Sequence, residues 1–159
     1  MHQQSLSTEV ACRATVATLE RKITELAAHI SAAEYQFLSL IAEFDSLHGW
    51  SGVGIKSCAH WLNWKCGIGL GAAREKVLVA TALIELPKIS EAFRSGRISY
   101  SKVRAMTRVA TPANEKALLS VANHGTASHV ERLVQSYRKV NRLEALALDN
   151  ERHARRSLS

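Results

Sequence analysis

Hydrophobic positions recur along this chain with a helical period, and no alternating run of β-branched residues marks a convincing strand. From Val16 the apolar residues read Val16, Leu19, Ile23, Leu26, Ile30, Ala33, Phe37, Leu40, Phe44 and Leu47, a 3-4 alternation held without a slip. A seam of that period drifts off one face of a straight helix unless the helix coils slowly around a partner. The pattern predicts a helix from about Thr8 to His48, about 60 Å long at 1.5 Å per residue, more than so small a domain can bury alone. A second long stretch without Gly or Pro, from Thr126 to about Arg156, carries the broader stripe Val130, Leu133, Val134, Tyr137, Val140, Leu143 and Leu146. Two partners suit the first seam: another copy of itself, or this last helix lying alongside. Flanking positions such as Lys22 and Ala27 or His29 and Glu34 offer poor charge pairing for an isolated dimer. Ala27 and Ile41 widen the stripe. A bundle with a dimeric extension is therefore expected.

Shorter helices with clear punctuation fill the middle. Gly49, Gly52 and Gly54 mark a loop, and Ser57 caps a helix to about Cys66. Gly67 and Gly69 break the chain before a helix from about Gly71 to Leu86, apolar almost all round in its second half and expected to be central and buried. Pro87 opens a short helix that stops at Gly96. Ser99 or Ser101 starts another to about Ala110, Pro112 one to about Asn123, and Thr126 or Ser128 caps the last. The expected fold is all-α, a multi-helix bundle in which long N- and C-terminal helices surround a helix-turn-helix-like core. Residues 1–48 form the heptad helix, 49–125 the compact core and 126–159 the C-terminal helix.

The core expectation rests on Cys58 to Leu83. Leu62, Cys66, Gly67, Ile68 and Ala73 fit a helix-turn-helix, in which Gly permits a left-handed turn and a small residue permits close crossing. Asn63 and Lys76 depart from it, at positions that are usually small and apolar respectively. An ordinary helix hairpin is the alternative. In a helix-turn-helix, Arg74, Glu75 and Lys76 would stand at the end of the second helix that reaches base edges.

Composition adds to this picture. With 159 residues, 47% hydrophobic and 22% charged, the chain can bury a real core, which excludes whole-chain disorder. No apolar run approaches the roughly 20 residues of a membrane span, and Met1 to Glu9 lacks the features of a secretory signal, so no membrane partner and a cytoplasmic location are expected. Three cysteines without an export signal read as reduced thiols. Net charge is +7, unevenly spread: residues 1–48 carry three basic and six acidic groups, and the remainder 18 basic and eight acidic. A basic body points to a polyanion, most often nucleic acid, against the alternative of a solvated surface. Residues 88–108 hold Lys88, Arg94, Arg97, Lys102, Arg104 and Arg108 against Glu91, with Arg104 and Arg108 expected on an outward helix face where they could hold phosphates.

Other chemistry is thin. Trp61 and Trp64 are expected as packing anchors, with base stacking as the alternative. The C-x-H-x5-C spacing of Cys58, His60 and Cys66 is unlike a zinc site, so no metal ligand is expected and the cysteines read as small buried hydrophobes. His124 and His129 read as surface residues. No catalytic triad, phosphate loop or carboxylate pair stands out.

The stretches LNWKCGIGLGAAREKVLVATALIEL from Leu62 and GRISYSKVRAMTRVATPANEKALLSVANHGTASHVERLVQSYRK from Gly96 resemble family 222 of the domains of unknown function, the 13E12-repeat proteins. That resemblance implies the helical N-terminal domain that stands before an HNH endonuclease domain, and the closing ERHARRSLS looks like the place where such proteins continue. An HNH site needs histidines and ligands for a divalent metal, and Asn150 and His153 have no such partners downstream. The chain alone is therefore expected to use no cofactor and to cleave no phosphodiester, even with magnesium, manganese or zinc.

Together these readings predict a DNA-binding and dimerisation module of an HNH-type endonuclease. Arg74, Lys76, Arg94, Arg97, Lys102, Arg104 and Arg108 would contact duplex DNA, and Leu19, Ile23, Leu26, Ile30, Phe37 and Leu40 would join a homodimer. A protein-interaction scaffold and a transcriptional regulator are the alternatives.

Overall fold

The computed structural model describes the backbone of residues 2–156, and side chains from Cys12 onward apart from residue 154. The leader Met1 to Glu9, as far as its side chains are concerned, and the last three residues of the closing stretch lie outside the described part. Seven helices and no strand occur among the described residues: α1 (His2–Ser46), α2 (Cys58–Cys66), α3 (Leu70–Ile84), α4 (Pro87–Arg94), α5 (Tyr100–Met106), α6 (Glu115–His124) and α7 (Ala127–Arg156). The all-α expectation holds, and no described helix is long and apolar enough to cross a membrane.

Local chemistry sets most boundaries. Ser57 accepts a hydrogen bond from the His60 amide at 3.2 Å and so caps α2. Gly67 ends that helix in the left-handed region, φ 67°. Both departures from the helix-turn-helix pattern have structural uses. Asn63 Nδ2 donates to the Ile68 carbonyl at 2.8 Å and closes the turn. Lys76 turns toward α1, where its ammonium donates to Glu34 at 2.6 Å and lies 4.0 Å from the centre of the Tyr100 ring. Pro87 opens α4, whose cap position is Leu86 and supplies no side-chain acceptor. The missing acceptor comes from α6: the buried Glu115 carboxylate accepts from the Lys88 and Ile89 amides at 3.0 and 3.2 Å. A carboxylate at a helix N-terminus satisfies orphan donors and suits the helix dipole.

The core draws on all three expected stretches of the chain. Phe93 of α4 is fully buried between Tyr35 of α1 and Tyr100 of α5, with ring centroids 5.9 and 6.5 Å away. Leu38, Leu62, Ala73, Ile89, Met106, Leu118, Val130 and Val134 complete it from every helix. Gly96 matters to this closure. Its φ is +73°, and a Cβ there would stand 2.4 Å from the Ala28 carbonyl oxygen, so the α4–α5 turn meets the α1 backbone at a point that admits only glycine.

Three expectations need correction. Helix α3 is less buried than its composition implies: Ala73, Val79, Ala80 and Leu83 face the core, while Leu78 and Ile84 are exposed. The longest helices, α1 and α7, do not lie side by side; α1 packs on α3 and α4, and α7 on α5 and α6. Trp61 is a packing residue against Phe44, but Trp64 is 62% exposed with the Lys65 ammonium over its ring, and Cys66 is exposed rather than buried.

Candidate functional site

Two surfaces were expected to act, and folding treats them in opposite ways. The first is the seam of α1. The helix meets its own domain with Ser31, Leu38 and Ile41 buried and Glu34, Tyr35, Ala42 and Asp45 half-buried. At 100° per residue this core-facing stripe lies roughly a third of a turn round the helix from the heptad seam. The seam itself stays open. Val16, Leu19, Ile23, Leu26 and Ile30 are between 49% and 65% exposed, and Leu40 and Leu47 are 64% and 72% exposed. Of the expected dimerisation residues, Leu19, Ile23, Leu26, Ile30 and Leu40 are open and Phe37 is half-buried.

From Cys12 to Ile30, about 28 Å of helix, every side chain but Ala28 is exposed, so this segment forms an arm that touches the rest of the domain where Ala28 meets the Gly96 turn. Below it, the same face runs into a groove of about 400 Å³ between α1 and α2, lined by Phe37, Leu40, Ile41, Phe44, Leu47, Trp61, Leu62 and Cys66 with Glu43 at its rim. The α2 side of this groove was not expected. Its signal was present in the paired indoles, but the pairing of Trp61 with Phe44, centroids 4.6 Å apart, depends on how α2 crosses α1.

The second surface is the basic cluster, and the expected strip of free cations is not what the structure assembles. Arg104 and Arg108 do not point freely outward. They lie between Glu75 of α3 and Glu131 of α7: Arg104 stands 3.2 Å from Glu75 and 3.6 Å from Glu131, and Arg108 3.1 and 3.3 Å from the same pair. Four charges thus form a closed clasp across three elements of the fold, with the arginine side chains about three-eighths exposed at 37% and 38%. Lys76 pairs with Glu34 of the leading helix, and Lys102 donates to the Ala122 carbonyl at 2.6 Å. Arg94 pairs with Glu91 on its own helix. Arg97 is exposed and donates to the Ser95 hydroxyl at 3.0 Å. Arg74 is exposed, beside a shallow pocket lined by Asp45, Trp50 and Lys56. Among the described residues, Arg74, Arg97 and Lys102 are thus the members of the seven without a carboxylate partner, and Lys102 is held by the Ala122 carbonyl instead. Counting charge over residues 88–108 alone missed this arrangement, because Glu34, Glu75 and Glu131 come from helices distant in sequence.

Two groups titrate abnormally for reasons of position. Burial, helped by Glu75 and Glu34 and opposed by Arg104, pushes the Tyr100 phenol from 10.0 to about 12. Burial, then Asp45 and Cys66, pushes the Cys58 thiol from 9.0 to about 11. Neither group belongs to a constellation that could do chemistry, and no group of three or more potential metal ligands occurs among the described residues.

Fold and surface together define an all-α domain whose longest helix carries an exposed apolar seam. Residues 9–158 match the family described as a domain of unknown function, DUF222. The chain belongs to that family. Comparisons with curated proteins and with solved structures found no match.

Proposed function

We propose that this domain is an assembly module that joins two copies of its chain through the α1 seam. The observation that carries this reading is the pair of stripes on α1, one buried by the domain and the other left open along the arm from Val16 to Ile30. Contiguous exposed apolar surface of this kind marks an interaction site. Its size is adequate. Burying the remaining half of each of the five arm residues contributes about 1 kcal/mol apiece, so a symmetric pair gains about 10 kcal/mol gross. Association itself costs about 4–15 kcal/mol, so the arm alone would give a weak dimer, and the groove below it would strengthen the contact.

Sedimentation velocity tests the reading. The wild-type chain is expected to run as a concentration-dependent dimer and Ile30→Lys as a monomer; a wild type that stays monomeric at high concentration overturns it.

The basic balance of residues 49–159 supports a second reading, DNA binding, within which the resemblance to proteins that carry an HNH endonuclease domain would give the duplex its meaning. Here Arg74 and Arg97 are the leading phosphate contacts. In a salt titration of duplex affinity, Arg74→Ala with Arg97→Ala is expected to reduce the log–log slope by about 2. An unchanged slope removes both from the interface.

A further inference from the structure

We infer that the two arms pair parallel and in register, as a two-stranded coiled coil centred on residues 16–30. The inference rests on the self-association proposed above and specifies its geometry. In heptad terms Val16, Ile23 and Ile30 occupy the a positions, and Leu19 and Leu26 the d positions. β-Branched residues at a with leucine at d are the combination that favours two parallel strands, because the two layers pack their side chains in different orientations. All five residues are exposed, so nothing in the chain's own fold competes for them.

Charge decides against the reversed pairing. An antiparallel arrangement that overlaps the arms fully, Cys12 to Ile30, is centred on Arg21. It sets the two copies' Lys22 side chains against each other on one flank and their Glu20 side chains on the other. Like charges so placed are destabilising. In the parallel arrangement the flanking pairs are Thr15 with Glu20, Lys22 with Ala27 and His29 with Glu34, none of them like-charged. The arm of α7 is a poorer occupant. Its exposed Val140, Leu143, Leu146 and Leu148 fall at intervals of three, three and two, so they hold no continuous seam. Parallel pairing also brings both cores to the same end of the coil, where Leu40 and Leu47 of each copy continue the contact.

The chain carries its own reporter. Cys12 is exposed and lies at d, one heptad before Leu19, so parallel arms bring the two Cys12 thiols together. Cys58 is buried, and Cys66→Ser removes the other exposed thiol. Treating Cys66→Ser with diamide, which takes up the two thiol hydrogens, is expected to convert most of the dimer to a Cys12–Cys12 linked pair. Adding Ile23→Lys should abolish the link. Introducing Ile30→Cys discriminates direction: parallel arms join like positions, whereas antiparallel arms join Cys12 to the thiol introduced at position 30, as peptide mapping would show. A dimer in sedimentation that gives the crossed link, or no Cys12 link above the Ile23→Lys level, overturns the parallel register and leaves self-association standing. A monomeric wild type overturns the underlying reading instead.

Discussion

The seam of α1 and the basic cluster around α5 are the two most conspicuous patterns in the chain, and they end in opposite states. Apolar residues, which the hydrophobic effect should drive inward, are left facing water along the arm. Charged residues, which water solvates readily, are gathered into a clasp between Glu75 and Glu131. The contrast teaches how to tell an internal contact from an external one. The clasp satisfies its charges within the chain and ties α3, α5 and α7 together, so it belongs to the stability of the domain. The arm of the seam stays exposed in the folded chain, which is why the proposed contact for it lies with a second copy.

The sharpest way to break that comparison is to charge the seam. Ile30→Lys is expected to weaken dimerisation at least 100-fold, about 3 kcal/mol or more, because each dimer would bury two unpaired ammonium groups. The thermal midpoint of the dilute monomer should remain unchanged, since Ile30 is exposed in the folded chain. A fall in the monomer's midpoint would mean that the seam serves the domain itself.

Opening the clasp is the converse test and a smaller effect. Glu75→Gln with Glu131→Gln leaves Arg104 and Arg108 without carboxylates and is expected to cost about 1–2 kcal/mol of folding stability at low salt, less at high salt, with no change in the dimer. Denaturant melts at two salt concentrations would measure it. A variant that keeps full stability but changes its oligomeric state would reverse the assignment of the two surfaces.

The smallest expected effect concerns the phenol beside the clasp. Tyr100 has a folded pKa of about 12 against an ordinary 10.0, so the stability it contributes is fully present below pH 10 and is lost as pH rises from 10 to 12. Cys58, raised from 9.0 to about 11, adds a similar loss that begins near pH 9. Tyr100→Phe is therefore expected to remove part of the alkaline decline in denaturant midpoint, leaving the portion due to Cys58. A decline identical to wild type would show that the phenol is not held protonated by the fold.

Much of the fold was legible from local chemistry. Gly67 and Gly96 in left-handed turns, Ser57 at a cap and Pro87 at a helix start act within a few residues of themselves, so their effect can be read along the chain. The seam was legible for the same reason, since a 3-4 alternation belongs to one helix. What escaped was the stripe on α1 that meets the core, because Ser31 and Glu34 interrupt its apolar character, one by hydrogen-bonding its own helix and the other by pairing with Lys76. Glu115 escaped as well: nothing near it in the sequence shows that its carboxylate completes the start of α4.

Periodicity and turn residues by themselves determined that the chain is helical, where most helices break, and that α1 carries a seam too regular for a small domain to absorb. Tertiary structure alone decided which cations are free. An ion pair between helices depends on separations, here 2.6 to 3.8 Å, that hydrophobic packing sets, and residues 23 to 42 positions apart meet there only because the core has brought their helices together.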